Sequence, residues 1–308
     1  MRPSVILTEP YAGLQAQALG LAEAAGLSPD LVSLEPRAPW RFVSARIWPT
    51  PLRAVNLPAI GDAIIFSAGG TAAVVGAALR RAGRALVQIQ HPRIDPRRFD
   101  VIVVNRHDGL TGPNVIVTRT ALHRATSRRL AEARVAWAGR LAHLPRPLVS
   151  VLVGGSNGRF RLDAAVAAAL GAQLADMARR DGVGIALTPS RRTAPDAVAA
   201  LRAALDPVGG WVWDGTGENP YFGLLACADG IVVTEDSVSM VSEACATAAP
   251  VFLAGLPGHS RRIRQLSQYL IEDGRVRRFT GRFEPWPVSP LDDTQAAADE
   301  MKTRIETC

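Results

Sequence analysis

Short unbroken apolar runs alternate along this chain with alanine-rich stretches of helical spacing. SVILT (4–8) ends in the polar turn EPYAG and is followed by LQAQALGLAEAAG, which reads as strand, turn and helix. DAIIFSAGG (62–70) repeats the form, with TAAVVGAALRRAG as its helix, and ALVQIQHPR (85–93), FDVIVVNRHD (99–108) and NVIVT (114–118) supply three more strands. A helix follows TRTALHRAT and is expected to run to about Leu141. Two prolines then precede LVSVLVGG (148–155), and the alternation starts afresh. A helix over AAVAAALGAQLADMARRDG, a strand and loop in GIALTPSRRT (184–193), a helix over PDAVAALRAAL, a strand in GGWVWDG (209–215) and a short helix in NPYFGLLACAD follow in order. TEDSVSMVSEACATAAPVFL (234–253) reads as a strand end, a polar turn, a helix and the start of another strand. Strands that are apolar throughout and separated by helices predict parallel sheets covered on both faces. The expected fold class is therefore α/β, with two Rossmann-like domains and a boundary near Pro145.

In sheets of this kind ligands bind beyond the carboxyl ends of the strands, so the loops that follow strands carry the candidate chemistry. In VGGSNGRF, Gly154, Gly155 and Gly158 permit positive φ and close backbone approach, while Ser156, Asn157, Arg159 and Arg161 offer hydrogen bonds and charge to a phosphate. The GK[ST] ending of a P-loop is missing, and a tight strand-to-helix turn explains the glycines equally well. TPSRRT offers Ser190, Arg191, Arg192 and Thr193 to a phosphate or ribose, or is a solvated loop. Asn219 before Pro220 reads as an N-cap with proline at the first helical position. In the 234–253 stretch Asp236 or Ser237 caps the helix, and helical spacing sets Ser239, Met240 and Glu243 on roughly one face with Asp236. Either this is a plain capped helix, or its N-terminus takes a diphosphate and Glu243 a ribose. In the first half Glu9, His91 and Asp108 follow strands, and each is a candidate general base or an ordinary loop residue. There is no nucleophile elbow and no cluster with metal-ligand spacing, so no cofactor is expected.

Composition narrows the partners. The chain has 308 residues, is 48% hydrophobic and 20% charged, and so can bury two cores, which excludes a disordered class. The formal net charge is +7 and Lys302 is the only lysine, so nearly all the positive charge is guanidinium, suited to phosphate and carboxylate. A phosphorylated ligand and an anionic membrane surface both fit this charge; nucleic acid is not expected, because aromatics are 6% and no recognition module occurs. The three cysteines (Cys227, Cys245 and Cys308) form no metal or disulfide pattern, which points to a reducing compartment. No signal-peptide pattern and no membrane-spanning run occurs, so the expected location is cytoplasmic, peripheral to the inner membrane at most.

Taken together, TEDSVSMVSEA, GENPYFGLLACAD, LVGGSNGRF and TPSRRT resemble the elongated-mitochondria family, plant mitochondrial-fission factors and their bacterial relatives grouped with glycosyltransferases. TEPYAGLQAQALGLAEA, QHPR, FDVIVVNRHD and NVIVTRTALH extend the resemblance over most of the chain. Asp236, Ser237 and Met240 are also similar to the DSxxM portion of lipopolysaccharide heptosyltransferases. The resemblance implies a GT-B-like fold, two Rossmann-like domains facing a cleft. Residues 1–144 would form the acceptor side, residues 145–285 the nucleotide-sugar side, and residues 286–308 would cross back to the first domain. It implies a metal-independent glycosyltransferase with a nucleotide-diphosphate sugar as donor and a cell-envelope glycan or lipid as acceptor. VGGSNGRF and the turn 236–239 would face the diphosphate, Glu243 the ribose, and TPSRRT with ENPY the base; Glu9 would be the catalytic base, with His91 and Asp108 behind it. A non-catalytic interaction protein at a membrane surface and a nucleotide-sugar epimerase are the alternatives on the same architecture. One departure bears on the acceptor side: the family's first loop reads like TDGRAGNENQ, whereas this chain has TEPYAGLQAQ, with Glu9 for an aspartate and Leu14 and Ala16 at polar positions.

Overall fold

A computed structural model describes residues 3–80 and 83–306. In chain order the elements are β1 (Ser4–Thr8), α1 (Ala12–Ala24), β2 (Asp30–Ser33), β3 (Ile64–Ala68), α2 (Gly70–Leu79), β4 (Leu86–Ile89), β5 (Val101–Asn105) and β6 (Val115–Thr118). There follow α3 (Ser127–Trp137), β7 (Leu148–Val153), α4 (Ala164–Asp181), β8 (Gly184–Pro189), α5 (Pro195–Leu205), β9 (Trp211–Val212), α6 (Tyr221–Cys227) and β10 (Gly230–Thr234). The chain ends with α7 (Val238–Cys245), β11 (Val251–Ala254), α8 (Arg261–Glu272), β12 (Val276–Arg278) and α9 (Thr294–Glu306). Arg81 and Ala82 of the expected helix 71–83, and Cys308, lie outside the described residues.

The elements fall into two compact units. The first holds a six-stranded sheet in the order β2-β1-β3-β4-β5-β6, the second one in the order β12-β11-β10-β7-β8-β9, and every pairing is parallel. The central strands β1, β3, β5, β7 and β10 are buried along their whole length, which is why they appear in the sequence as continuous rather than alternating apolar runs. The edge strand β2 is DLVS, largely exposed, and has no apolar run to mark it. α8 and β12 continue the strand–helix alternation beyond the last strand that the apolar pattern marks.

The units divide elsewhere than at Pro145. The first comprises the chain up to Arg124 and again from Asp292; the second is Ala125–Leu291. Packing of α3 decides the first break: Trp137, with Leu141 and Leu144 beyond it, is buried against Leu148, Ala186, Leu224 and Cys227 of the second unit. Gly223 leaves the room, since a Cβ there would lie 2.2 Å from Trp137 Cγ. The second break lies six residues later than expected, because 286–291 still belong to the second unit. There the Trp286 ring meets Phe252 edge-on at 5.3 Å, and the Leu291 N–H donates to the Cys245 carbonyl at 2.8 Å. Beyond Asp292 the chain rejoins the first unit, where Ala297, Ala298, Met301 and Ile305 of α9 enter the core beside Ile6, Leu21 and Phe66.

Candidate functional site

In the second sheet β7, β8 and β9 are laid down toward one edge and β10, β11 and β12 toward the other, so the winding reverses between β7 and β10. Such a reversal opens a crevice at the strands' carboxyl ends. The loops that leave β7 and β10 there are the ones containing Gly154–Asn157 and Asp236–Ser239.

Asp236 ties these loops together. Its side chain is fully enclosed, and its carboxylate accepts from the Thr234 hydroxyl (2.7 Å), the Gly155 N–H (3.2 Å) and Arg192 Nη2 (2.8 Å). Thr234 Oγ1 in turn accepts from the Gly154 N–H at 2.8 Å, and the Thr193 hydroxyl donates to the Gly154 carbonyl. The Ser190 N–H donates to Thr193 Oγ1 (2.9 Å), and the Arg192 N–H to Ser190 Oγ (3.1 Å). The loops after β7, β8 and β10 thus form one hydrogen-bonded clasp. This corrects two expectations. Asp236 is a fastening inside the protein rather than a surface toward a diphosphate, and its charge is balanced by Arg192. None of Gly154, Gly155 and Gly158 takes a positive φ. Glycine is required at 154 and 155 because a Cβ would fall 2.1 Å from Asp236 Oδ1 in one case and 2.2 Å from the Arg192 carbonyl oxygen in the other.

Around the clasp, groups remain that can meet a ligand. Ser156, Asn157, Arg159 and Arg191 are exposed. Asn157 Oδ1 accepts from the N–H groups of Arg159 (2.9 Å) and Phe160 (3.0 Å), and Ser156 Oγ from that of Leu162 (2.9 Å), so the loop is curled before any ligand arrives. Ser237 caps α7, accepting from the Met240 N–H at 3.4 Å, and Ser239 lies in the first helical turn. Met240 packs on the core beneath. Glu243 is buried and accepts from the Tyr221 hydroxyl. Burial, and then the neighbouring Glu243 charge and hydrogen bond, push the Tyr221 phenol well above its ordinary pKa, so it stays a donor. The α6 start differs by one residue from expectation: Pro220 occupies the cap position, and Asn219 Oδ1 accepts from the Tyr221 N–H at 3.0 Å.

Thr234, Thr193 and Tyr221 carry much of this arrangement, and the sequence pattern gives them no such roles. Nothing in the order of residues pairs position 221 with 243 or 193 with 154. Glu235 is a further case: it accepts from Arg278 Nη1 (2.6 Å) and from the Leu256 N–H (3.3 Å), joining the loop after β10 to β12 and to the loop after β11.

In the first sheet the reversal lies between β1 and β3. Glu9 follows β1, and its Oε1 accepts from the Thr71 N–H at 3.1 Å, at the N-terminus of α2. Gly69, at φ 98°, carries the chain under it; a Cβ there would lie 2.2 Å from Glu9 Oε2. Glu9 faces a cavity of about 320 Å³ whose wall includes Trp40, Arg41, Arg46, Trp48 and Arg93. His91 and Asp108 are not part of that wall. His91 Nδ1 accepts from the Arg93 N–H (3.0 Å), and Asp108 Oδ2 from the Asn105 N–H (3.2 Å), both local turn contacts. The three candidate bases are therefore not assembled around one point. Among the described residues no group of three or more His, Cys, Asp or Glu is arranged to hold a metal ion.

Known proteins share this architecture and, in one family, the sequence. MurG of Acinetobacter baumannii superposes with a TM-score of 0.50 at 14% identity, over 99% of this chain and 95% of that one. A UDP-glucosyltransferase of Polygonum tinctorium gives 0.51 at 13%, over 100% and 93%. At these identities the likeness is one of fold, two Rossmann-like units of the GT-B kind. The mitochondrial fission protein ELM1 of Arabidopsis thaliana is 32% identical over 275 residues, 80% of this chain and 64% of the plant protein, so the chain spans a little under two thirds of that relative. The model of the family described as mitochondrial fission ELM1 matches residues 12–305, and the chain belongs to that family.

Proposed function

We propose that the chain is a glycosyltransferase that binds a nucleotide-diphosphate sugar at the strand reversal of its second unit. The observation that carries this is the clasp: Asp236 fastens three loops at the one place where a doubly wound sheet opens toward a ligand. The exposed β7 loop with Arg159 and Arg191 suits the diphosphate, Ser237 and Ser239 at the start of α7 assist it, and Glu243, held by Tyr221, suits the ribose. Family membership and the fold shared with a UDP-glucosyltransferase support the same donor class. In this reading Glu9 takes the proton of an acceptor hydroxyl in the first-unit cavity. The hydroxyl oxygen bonds to the anomeric carbon, and the bond from that carbon to the diphosphate breaks with its electron pair. The acceptor is a glycan or lipid of the cell envelope.

A second reading has one observation in its favour. Glu9 is already engaged by the α2 N-terminus, which accounts for its presence without catalysis and suits a non-catalytic interaction protein. A thermal-shift series with nucleoside diphosphates and nucleotide-sugars tests donor binding. A ligand at 100 times its Kd adds about 2.7 kcal/mol of apparent stability. The proposal fails if none of them shifts the midpoint. Binding followed by sugar transfer that Glu9→Gln abolishes selects the enzyme; binding without transfer to any acceptor selects the second reading.

A further inference from the structure

Between β2 and β3 the chain makes three single turns, Trp40–Phe42, Ala45–Ile47 and Pro51–Arg53, and its two sides differ sharply. The inner side is anchored. Trp48, Ala54 and Val55 are buried in the first-unit core, with Trp40, Ala45 and Leu57 packed against it. The Trp40 and Trp48 rings meet edge-to-face at 6.4 Å, and Trp48 Nε1 donates to the Val43 carbonyl at 3.1 Å. The outer side is bare and apolar: Phe42 is 76% exposed and Ile47 71%, with Val43 and Leu52 also exposed. Nine large hydrophobic residues are exposed among the described residues, and these four fall within eleven consecutive positions.

Arginines are interleaved with them. Arg37, Arg41, Arg46 and Arg53 lie in the stretch between Glu35 and Asp62, which contains no acidic residue. The Arg41 guanidinium sits 4.6 Å from the centre of the Phe42 ring, so charge and apolar surface are presented together. We propose that residues 37–53 form a docking surface for an anionic phospholipid bilayer. Phe42 and Ile47 would enter the acyl boundary, and the arginines would lie among the headgroup phosphates. The charge complementarity selects this occupant: four cations in a stretch of chain with no acidic residue suit an anionic plane. The anchored inner side spares most of the ordering cost when the tips insert. Arg41 and Arg46 also wall the cavity that Glu9 faces, so a docked chain holds that cavity against the headgroup layer.

This surface is independent of donor binding, and its test keeps the two apart. The full chain is sedimented with vesicles of phosphatidylglycerol and phosphatidylcholine, and with phosphatidylcholine alone. Binding is expected only to the anionic vesicles and weakens as salt rises. Phe42→Asp with Ile47→Asp is expected to lower partitioning about tenfold or more, with the thermal midpoint and any nucleoside diphosphate shift unchanged. In a second measurement Phe42→Trp, in an otherwise unaltered chain, adds emission that lipids brominated in their acyl chains quench. The proposal is overturned if the wild-type chain ignores anionic vesicles at low salt, or if the double variant binds as well as wild type. It is equally overturned if the emission added by Phe42→Trp escapes quenching, or if the double variant only dissolves a dimer, which would assign the patch to a second copy of the chain.

Discussion

Replacing Asp236 by alanine tests the clasp directly. The substitution leaves the Thr234 hydroxyl and the Gly155 N–H without acceptors in a buried place, at about 1–3 kcal/mol each. Arg192 is 43% exposed and can turn to water, so its lost pairing adds at most about 1 kcal/mol. Together these terms amount to about 2–7 kcal/mol. With a urea dependence of about 2 kcal/mol per molar, the midpoint falls by about 1–3.5 M. Tryptophan emission is the assay, because Trp137, Trp211, Trp213 and Trp286, four of the six tryptophans, belong to the second unit. A chain of two units need not unfold in one step, so the comparison rests on the transition those four report. Asp236→Asn keeps one acceptor oxygen but turns an NH2 toward Arg192 or Gly155, and is expected to lose about half as much. An Asp236→Ala midpoint indistinguishable from wild type refutes the reasoning. If nucleotide affinity vanishes at that unchanged midpoint, Asp236 touches the ligand instead.

Three further outcomes follow from buried groups. Tyr221→Phe removes the donor to Glu243 and is expected to cost about 1–3 kcal/mol by the same urea assay. Burial holds the His123 imidazole below its ordinary pKa of 6.5, against the pull of Asp292 and then Asp293. A depressed folded pKa means that its stabilisation is complete above pH 6.5 and is lost as pH falls through the folded value. The wild-type thermal midpoint should therefore drop below pH 6.5 more steeply than that of His123→Leu; equal slopes would exclude the effect. Burial pushes the Cys245 thiol up to about 12 and also raises that of Cys227, and both are enclosed. A Cys308→Ser chain should take no alkylating label when folded and two labels in denaturant, counted by mass.

Much of the fold was legible because parallel strands buried on both faces must be apolar throughout. Runs such as DAIIFSAGG and LVSVLVGG could hardly be anything else between helices. The edge strand β2 was not legible, since an exposed edge imposes no such pattern. The break near Pro145 was misplaced for a related reason. α3 is mostly exposed, and only its last residue, Trp137, is buried, so its allegiance depends on where that indole finds room. For the candidate site, the loops at 154–157 and 236–239 stood out by composition, but the use of each residue did not. Asp236, which looked like a ligand contact or helix cap, is spent inside the protein, while Ser237 does the capping.

The chain's own sequence determined two α/β halves, the strand-end loops that carry the polar groups, a guanidinium-rich charge, and membership of a family. These depend on local periodicity and residue type, which a linear reading retains. Only the tertiary structure decided that the three loops are tied at Asp236, that Tyr221 holds Glu243, that Glu9 caps α2 rather than joining His91 and Asp108, and that Phe42 and Ile47 stand out from an anchored segment. Each depends on contacts between residues up to 81 positions apart, or on which side of a turn faces the core. A one-dimensional pattern does not encode those distances.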